Sequence, residues 1–166
     1  MLYLKKISPG GDIEIYNMLQ EIALNDNGFH NKAYGMSFIE FKLWLEKECK
    51  IDNGYLEEWM VPQTSYWLYE GEKLIGYGRL RHFLNDNLKA NSGHIGYAIR
   101  SSERKKGYGT KILSLLLKEC EKLDIKEVQI GANCDNIASN KIIIKNGGKL
   151  LRTENNKNFY VINLKK

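Results

Sequence analysis

The sequence predicts a single α+β domain in which a mixed, mostly antiparallel sheet is flanked by helices. Three observations lead to this fold class. From Ser65 the hydrophobic pattern changes from helical spacing to short aromatic and β-branched runs, which are typical of strands in an antiparallel meander. After Arg100 the order becomes strand, helix, strand, which indicates a βαβ-like unit. The length of 166 residues is that of one domain with a full core, so we expect residues 1–166 to form one unit.

The N-terminal part is predicted to form one strand and two helices. Leu2 to Ile7 alternate in the manner of a strand, and Asp12 can cap a helix through "IEIYNMLQEIAL". A polar, glycine-containing connector, "NDNGFHNKAYG", comes next. Ser37 and Glu40 have the spacing of a capping box, which predicts a second helix. Its apolar residues recur at helical spacing and are expected to form one buried face: Phe38, Phe41, Trp44 and Leu45.

The middle of the chain predicts three consecutive strands. "SYWLYEGEKLIGYGRLRHF" contains two of them, joined by a short turn at Glu70, Gly71 and Glu72. "NDNLKANSG" is expected to be a loop, and the third strand runs from His94 to Arg100. Strands in series with short connections predict an antiparallel meander.

The last third predicts a helix, a strand, a shorter helix and a hairpin. A helix from about Thr110 places a set of apolar residues on one side: Ile112, Leu113, Leu116, Cys120 and Leu123. "KEVQIGA" is predicted to be a strand, and "NIASNKIIIKN" a shorter helix that Gly147 and Gly148 end. "KLLRT" and "NFYVINL" flank "ENNKN" as a closing hairpin.

Composition narrows the class of protein without naming a function. The formal net charge of +5 is spread along the chain and is compatible with nucleic acid, an anionic ligand or a solvated basic surface. Cys49, Cys120 and Cys134 are odd in number and lack the spacing of a disulfide framework or a zinc site, so we expect no metal and a reducing, cytoplasmic setting. No signal peptide or membrane-spanning run is evident.

The stretch "RKKGYGT" before the Leu-rich helix predicts an anion site. The first turn of a helix has unpaired backbone N–H groups and a partial positive charge. Gly107 and Gly109 would let an anion approach the backbone, and several neighbours add positive charge or a donor: Arg104, Lys105, Lys106 and Thr110. These features predict a phosphate or pyrophosphate ligand, with a solvated basic turn as the alternative. A P-loop and a dinucleotide fingerprint are both excluded, because the required Gly-Lys-Ser/Thr and third glycine are absent.

"RKKGYG" resembles the R/Q-x-x-G-x-G/A motif of the GNAT superfamily, the acyl-CoA-dependent N-acyltransferases. In that family this loop cradles the pyrophosphate of coenzyme A with backbone amides. The order and spacing of elements from His94 to Gly148 are similar to the family's core, and the likeness extends over 65–166, with its meander, CoA-binding core and hairpin. Residues 1–64 resemble the family's variable N-terminal strand and helices only in outline.

The resemblance implies a set of residues that bind acetyl-CoA. The backbone amides of Tyr97 and Ile99 match positions that pair with the acyl carbonyl and the pantetheine arm. Asn136 matches the Asn of the family's N-x-x-A motif, which contacts the cofactor arm. The pyrophosphate loop matches a continuous run: Arg104, Lys105, Lys106, Gly107, Tyr108, Gly109 and Thr110.

The chain departs from the family pattern at three positions. Ser139 stands where the N-x-x-A motif has Ala, and Gly148 stands where the family has Phe. Ile143 occupies the place of a Tyr that protonates the leaving thiolate in many relatives. A thiol with a pKa of about 8.5 is a good leaving group, so this loss does not by itself imply an inactive protein.

The acceptor side carries several tentative residues. His94 opens the strand expected to carry the acyl group and could be a base or a relay; the alternative is a strand-end histidine that only anchors the sheet. Cys134 is expected to pack rather than act as a nucleophile, and Glu70 and Glu72 are expected to be solvated. Alternation places Tyr77, Arg79 and Arg81 on one strand face, with Tyr66 on the neighbouring strand. If this face lines the acceptor groove, it would suit a substrate that bears a carboxylate; the alternative is an exposed sheet face with ordinary cross-strand pairs.

The sequence therefore predicts an N-acetyltransferase that moves an acetyl group from acetyl-CoA to a primary amine of a small molecule or peptide by direct attack. A catalytically weak CoA-binding protein is one alternative, and a basic nucleic-acid-binding module is another. The predicted partner is the amine acceptor, and a homodimer is a further option. No nucleic acid and no membrane are expected as partners.

Overall fold

Two antiparallel sheets carry the fold of this protein, which a computed structural model describes for residues 1–26 and 29–164. The strands are β1 (Leu2–Lys6), β2 (Asn25–Asp26), β3 (Phe29–His30), β4 (Gln63–Glu70), β5 (Lys73–Arg81), β6 (Ile95–Ile99), β7 (Glu127–Asn133), β8 (Lys149–Glu154) and β9 (Lys157–Asn163). The helices are α1 (Ile13–Leu19), α2 (Phe38–Asp52), α3 (Asp86–Asn91), α4 (Tyr108–Lys122) and α5 (Ile137–Lys145), with a short 3₁₀ turn at Ser101–Glu103.

The first sheet has the order β1-β4-β5-β6 and the second has the order β7-β9-β8. Every pair within them is antiparallel, which confirms the predicted meander and closing hairpin. The predicted βαβ-like unit corresponds to β6, α4 and β7. Its two strands lie in different sheets, so the predicted single sheet is divided at this point.

The junction between the sheets is a pair of hydrogen bonds between His94 and Gln129, one of which uses the His94 imidazole. The His94 N–H donates to the Gln129 carbonyl at 2.8 Å, and the Gln129 N–H donates to His94 Nδ1 at 2.9 Å. Beyond this contact β6 and β7 share no ladder among the described residues. The two strands therefore diverge from a fixed point and leave a gap between the sheets.

Two hydrophobic cores lie on opposite faces of the first sheet. Helices α1 and α2 pack on one face, where Phe41, Trp44 and Tyr77 are buried. Helix α4 and the second sheet pack on the other face, where Leu113 and Leu116 are fully buried. The N-terminal segment is thus an integral layer, since it covers one whole face of the sheet.

Local sequence signals explain where the long helices begin. The Ser37 hydroxyl accepts from the Glu40 N–H at 3.1 Å, and Glu40 Oε1 accepts from the Ser37 N–H at 2.8 Å, which confirms the predicted capping box. Asp12 caps α1 by accepting from the Ile15 N–H at 3.0 Å. The connector and loop predictions were incomplete. The connector contains the β2–β3 hairpin, and the predicted loop contains α3, which Asn85 caps. Among the described residues, no helix is long and apolar enough to cross a lipid bilayer.

Candidate functional site

The gap between β6 and β7 opens into a groove of about 560 Å³. One end lies at the loop before α4, and α5 forms a wall beside it. The other end lies next to β5 and the β2–β3 hairpin. The groove therefore reaches both faces of the first sheet, and we call its two ends the loop end and the hairpin end.

The loop end presents the unpaired N-terminus of α4. Gly107 is the N-cap with φ of +86°, and Lys105 also has a positive φ of +64°. A Cβ on Gly107 would meet nothing within 4 Å, so this glycine is required by its backbone conformation and faces open space. The free N–H groups of the first helical turn and the helix dipole make this end suited to an anion.

Gly109 also lines the groove, beside α5. A Cβ there would lie 2.6 Å from Ile142 Cδ1, so a side chain at this position would displace the end of the Ile142 side chain. Gly107, in contrast, faces open space.

The three cations of the motif are not equivalent. Arg104 donates from Nε to the Ile99 carbonyl at 2.9 Å and from Nη2 to Asp26 at 3.0 Å. Lys106 pairs with Glu103 at 3.0 Å and does not line the groove, contrary to the prediction. Lys105 is exposed, lines the groove and has no ion pair among the described residues. Lys105 is thus the cation of the motif that stays available to a ligand.

The edge of β6 that faces the groove is unpaired. The Arg100 N–H donates to the Ile75 carbonyl at 3.0 Å, so even-numbered amides of this strand face β5. The amides of Tyr97 and Ile99 therefore face the opposite edge, where β7 has moved away. Both residues line the groove, as do Tyr108, Thr110 and Asn136, which were all predicted from the motifs.

The Tyr97 side chain has a buried hydroxyl that forms no hydrogen bond of ordinary geometry among the described residues, although Ser139 lies near it. Burial raises the pKa of Tyr97, with a smaller opposite effect from Ser139, so the hydroxyl stays protonated near neutrality. Ser139 lines the groove. Ile143, at the place of the family's Tyr, is fully buried in the core.

Asn136 uses its side chain to cap α5. Its Oδ1 accepts from the Ser139 N–H at 3.1 Å. The residue still lines the groove, so it fixes the start of the helix wall on the loop end.

His94 does not line the groove, and the prediction of a base at this position does not fit the geometry. Its Nδ1 already accepts the Gln129 N–H, and 8% of the residue is exposed. Burial lowers the pKa of His94, and the charge of nearby Arg81 lowers it further. His94 instead joins the two sheets, which was the alternative considered from the sequence.

Of the four tentative acceptor residues, two line the groove. Arg79 and Arg81 lie at the hairpin end. Tyr66 is buried in the core on the α4 side, where its hydroxyl donates to Glu119 at 3.4 Å, and Tyr77 is fully buried beneath Arg79. Neither tyrosine reaches the groove surface. The sequence could not indicate this, because strand alternation does not show which residues a helix covers.

The remaining sequence candidates lie outside the groove. Cys134 is exposed rather than packed, with Sγ 3.5 Å from Asn158 Oδ1. Glu70 accepts a hydrogen bond from the Tyr108 hydroxyl, so it ties the β4–β5 turn to the start of α4 instead of being merely solvated. No group of His, Cys, Asp and Glu side chains suited to a metal ion occurs within 1–26 and 29–164.

The groove includes residues that the sequence did not indicate. Asp26, Phe29 and His30 come from the connector, and Lys157 comes from β9. His30 is the imidazole that lines the groove within the described part of the chain. No local pattern marks these positions, since only the tertiary fold brings the connector to β5 and β6.

The splayed strands, the groove between them and a helix start without a side-chain cap define a site suited to an extended anionic ligand, and comparisons with known proteins identify the class. The model of the GNAT acetyltransferase domain matches residues 40–149, about two-thirds of the chain. The chain belongs to the GNAT acetyltransferase family. It is an acyl-CoA-dependent N-acetyltransferase, and acetyl-CoA is its co-substrate.

Solved structures of other acetyltransferases share the fold at low sequence identity. Campylobacter jejuni N-acetyltransferase PseH, in complex with acetyl coenzyme A, has a TM-score of 0.65 at 13% identity over 99% of this chain and 100% of that chain. RimL, a ribosomal L7/L12 alpha-N-protein acetyltransferase in complex with coenzyme A, has a TM-score of 0.72 at 17% identity over 98% and 94%. The microcin C7 self-immunity acetyltransferase MccE, in complex with acetyl-CoA and AMP, has a TM-score of 0.66 at 17% identity over 92% and 86%. No curated protein sequence matches significantly.

Proposed function

We propose that acetyl-CoA binds at the loop end of the groove and that an amine enters from the hairpin end. The observation that carries this proposal is the unpaired edge of β6 between the two ends. An extended ligand arm can pair with the free amides of Tyr97 and Ile99, as a further strand would. The amide of Tyr97 is then the donor available to polarise an acyl carbonyl.

The residues at the loop end fit the pyrophosphate of coenzyme A. Gly107 leaves open space at the helix N-terminus, and Lys105 adds an available charge. The orphaned Tyr97 hydroxyl offers a buried donor on the same side, and Lys141 of α5 adds a second cation. When bound, the thioester supplies the activated acetyl group; the protein orients it and excludes water around it.

The acceptor amine must lose a proton before it attacks the thioester. With His94 committed to the sheet junction, His30 is the imidazole positioned at the groove. The neutral amine attacks the carbonyl carbon of the thioester, so that the C–N bond forms and the C–S bond breaks; the nitrogen gives up its extra proton, and the departing thiolate takes up a proton to leave as the thiol.

The neighbouring structures bear different names: one is a ribosomal L7/L12 alpha-N-protein acetyltransferase, and another is a microcin C7 self-immunity acetyltransferase in complex with acetyl-CoA and AMP. These names support an amine acceptor of either kind and do not choose between a small molecule and a peptide. A catalytically weak CoA-binding protein is the second candidate, because Ile143 replaces the usual tyrosine.

Two measurements test the proposal. Acetyl-CoA should raise the melting temperature of the full chain, because a ligand that binds only the folded state stabilises it. Lys105→Gly should weaken acetyl-CoA binding on the order of fivefold, since an exposed charge contact contributes about 1 kcal/mol. The same change should leave the unliganded protein as stable or more stable, because glycine relieves a positive φ.

Turnover against a panel of amines then separates the enzyme from the weak binder. Stabilisation by acetyl-CoA without transfer to any amine would favour the weak binder. The absence of stabilisation at millimolar acetyl-CoA would contradict the site itself.

A further inference from the structure

Two arginines lie side by side at the hairpin end of the groove. Arg79 and Arg81 are two positions apart on β5, so both side chains point to the same face of the sheet. Arg79 is directly opposite Gly96 of β6, the residue before Tyr97. The Phe29 ring covers Gly96 at this point, and the Arg79 guanidinium lies over that ring, 5.3 Å from its centroid.

The Arg79 guanidinium is poorly satisfied by the protein. Its Nη2 donates to the Tyr77 hydroxyl at 3.2 Å, and its Nε is buried without a partner. The only two buried side-chain polar atoms without a partner in the described residues are this Nε and the Tyr97 hydroxyl, and both residues line the groove. The rings of Phe29 and Tyr77 hold the guanidinium in place at 5.3 and 5.5 Å.

Arg81 is held by neutral groups alone. Its Nη1 donates to Ser92 Oγ and to the Gly93 carbonyl, both at 2.9 Å. Burial, and then the charge of Arg79, lower the pKa of Arg81 to about 10. The guanidinium is therefore still charged at neutral pH but lies in surroundings that disfavour its charge.

No carboxylate of the described residues forms an ion pair with either arginine. The acidic residues that interact electrostatically with Arg79 are Glu48 and Asp52 of α2, and neither lines the groove. Asp52 also accepts from the Ser65 N–H at 2.7 Å. Burial disfavours the charge of Arg79, but Tyr77, Glu48 and Asp52 outweigh it and the pKa of Arg79 is raised. Both guanidinium groups lie partly buried on one wall of the groove without an ion pair, an arrangement suited to an anion in the groove.

We propose that Arg79 and Arg81 bind an anionic group of the acceptor, a carboxylate or a phosphate, and so select small amines that carry this anion close to the amine. The inference rests on the proposed function, since it places the amine between the arginine pair and the free edge of β6. Guanidinium groups suit both anions, because their planar donors match carboxylate and phosphate oxygens. Arg79 is paired in register with Gly96, the residue before Tyr97, so we expect the anion and the amine to belong to the same small molecule.

The first test is a binding measurement that needs no known acceptor. The full chain is melted with saturating coenzyme A and then with added inorganic phosphate, acetate or chloride at matched ionic strength. Phosphate or acetate should raise the melting temperature above the chloride value, and the anion with the larger shift identifies the preferred group. Arg79→Met, which keeps the packing on Phe29, should abolish the shift, and Arg79→Lys should retain part of it.

Lys126→Gln is the matched control, because it removes one positive charge at an exposed position that does not line the groove. The coenzyme A shift itself tests the proposed function in every variant and shows that each variant folds. An anion shift that is absent in the wild type, or that survives in Arg79→Met and Arg81→Gln, overturns the arginine site even if coenzyme A binds.

The second test is turnover with matched amines: glycine against glycinamide, and phosphoethanolamine against ethanolamine. The anionic member of one pair should have a kcat/KM at least about tenfold higher, because its neutral analogue leaves the arginines unpaired. Arg79→Met should reduce that ratio to near one. Equal use of charged and neutral amines by the wild type contradicts the proposal.

Discussion

Tyr97 brings a protonated hydroxyl into the loop end of the groove, where it forms no hydrogen bond of ordinary geometry within the described chain, although Ser139 lies near it. A buried donor without an acceptor destabilises the folded protein by about 1–3 kcal/mol. The presence of the Tyr97 hydroxyl at this position is explained if a bound ligand supplies the hydrogen-bond acceptor. We therefore expect the Tyr97 hydroxyl to serve bound acetyl-CoA rather than the fold.

Tyr97→Phe should consequently leave the melting temperature unchanged or raise it, while catalytic efficiency or acetyl-CoA affinity falls on the order of fivefold. Tyr160→Phe is the control, because the Tyr160 hydroxyl donates to Asn140 at 2.6 Å and its loss should lower stability without a direct effect on the groove. A clear loss of stability in Tyr97→Phe would show that the hydroxyl has a structural partner after all.

His94→Gln should affect stability and its pH dependence more than the chemistry. The pKa of His94 is lowered in the folded state, so the unfolded chain binds more protons below about pH 6.5. The wild type should lose stability as the pH falls through this range, and His94→Gln should lose less. Melting curves of both proteins from pH 7.5 to 5 measure this difference. Glu48, Asp52 and His82 are present in both proteins, so their contributions to the pH dependence cancel in the comparison.

The acidic limb of the pH–rate profile distinguishes the two histidines. It should persist in His94→Gln, because His94 does not line the groove, whereas His30→Gln, at the groove, should lower kcat. Loss of the limb in a stable His94→Gln protein would restore His94 as the base.

At this scale the sequence predicted the groove residues that belong to local motifs. Gly107, Thr110 and Asn136 follow from short patterns, and Arg79 and Arg81 follow from strand alternation. The pairing of Arg104 with Asp26 could not be predicted, because it joins a motif to a connector 78 residues away. For the same reason the motif's three cations looked equivalent in the sequence.

The 3₁₀ turn after β6 is tied to the end of the α1 segment by Glu21. Its carboxylate accepts from Arg100 Nε at 3.0 Å and from the Ser102 N–H at 2.9 Å. Partial burial alone would raise the pKa of Glu21, but these hydrogen bonds outweigh it and lower the pKa to about 2. The same loop is held again by Asp26 and Arg104, so the N-terminal segment positions the loop end of the groove.

Glu21→Gln should therefore lower stability at neutral pH, on the order of 1 kcal/mol for a partly exposed pair. The carboxylate's contribution is present above its unfolded pKa of about 4.5 and is lost as the pH falls towards 2. The wild-type and variant melting temperatures should thus converge in this range. Parallel curves down to pH 2 would contradict the assigned role of Glu21.

Long elements were predicted well because they carry several concordant signals. Helix α2 has both a capping box and an apolar face, and the meander has alternation and turn residues. The β2–β3 hairpin has two residues in each strand, too few for any periodicity. Helix α4 begins at Tyr108, two residues before the predicted start, because Gly107 serves as the cap with a positive φ.

Residues 1–64 and 65–166 should fold as one unit. Strand β1 pairs with β4, and α1 and α2 cover the face of the sheet that includes Trp67 and Tyr77. The fragment 65–166 would expose this face and should show no cooperative melting. The full chain should show a single transition with equal calorimetric and van't Hoff enthalpies.

The packing around Tyr77 has an optical consequence. Its ring lies 5.0 Å from that of Trp67 and 6.4 Å from that of Trp44, and its hydroxyl accepts from Arg79. The third indole, Trp59, is exposed and can be replaced by Phe. An anion that draws Arg79 away from Tyr77 then alters the dipoles beside both remaining indoles. The emission of such a variant should report occupancy of the hairpin end directly, so the chain can act as its own indicator when unlabelled amines are screened for the acceptor.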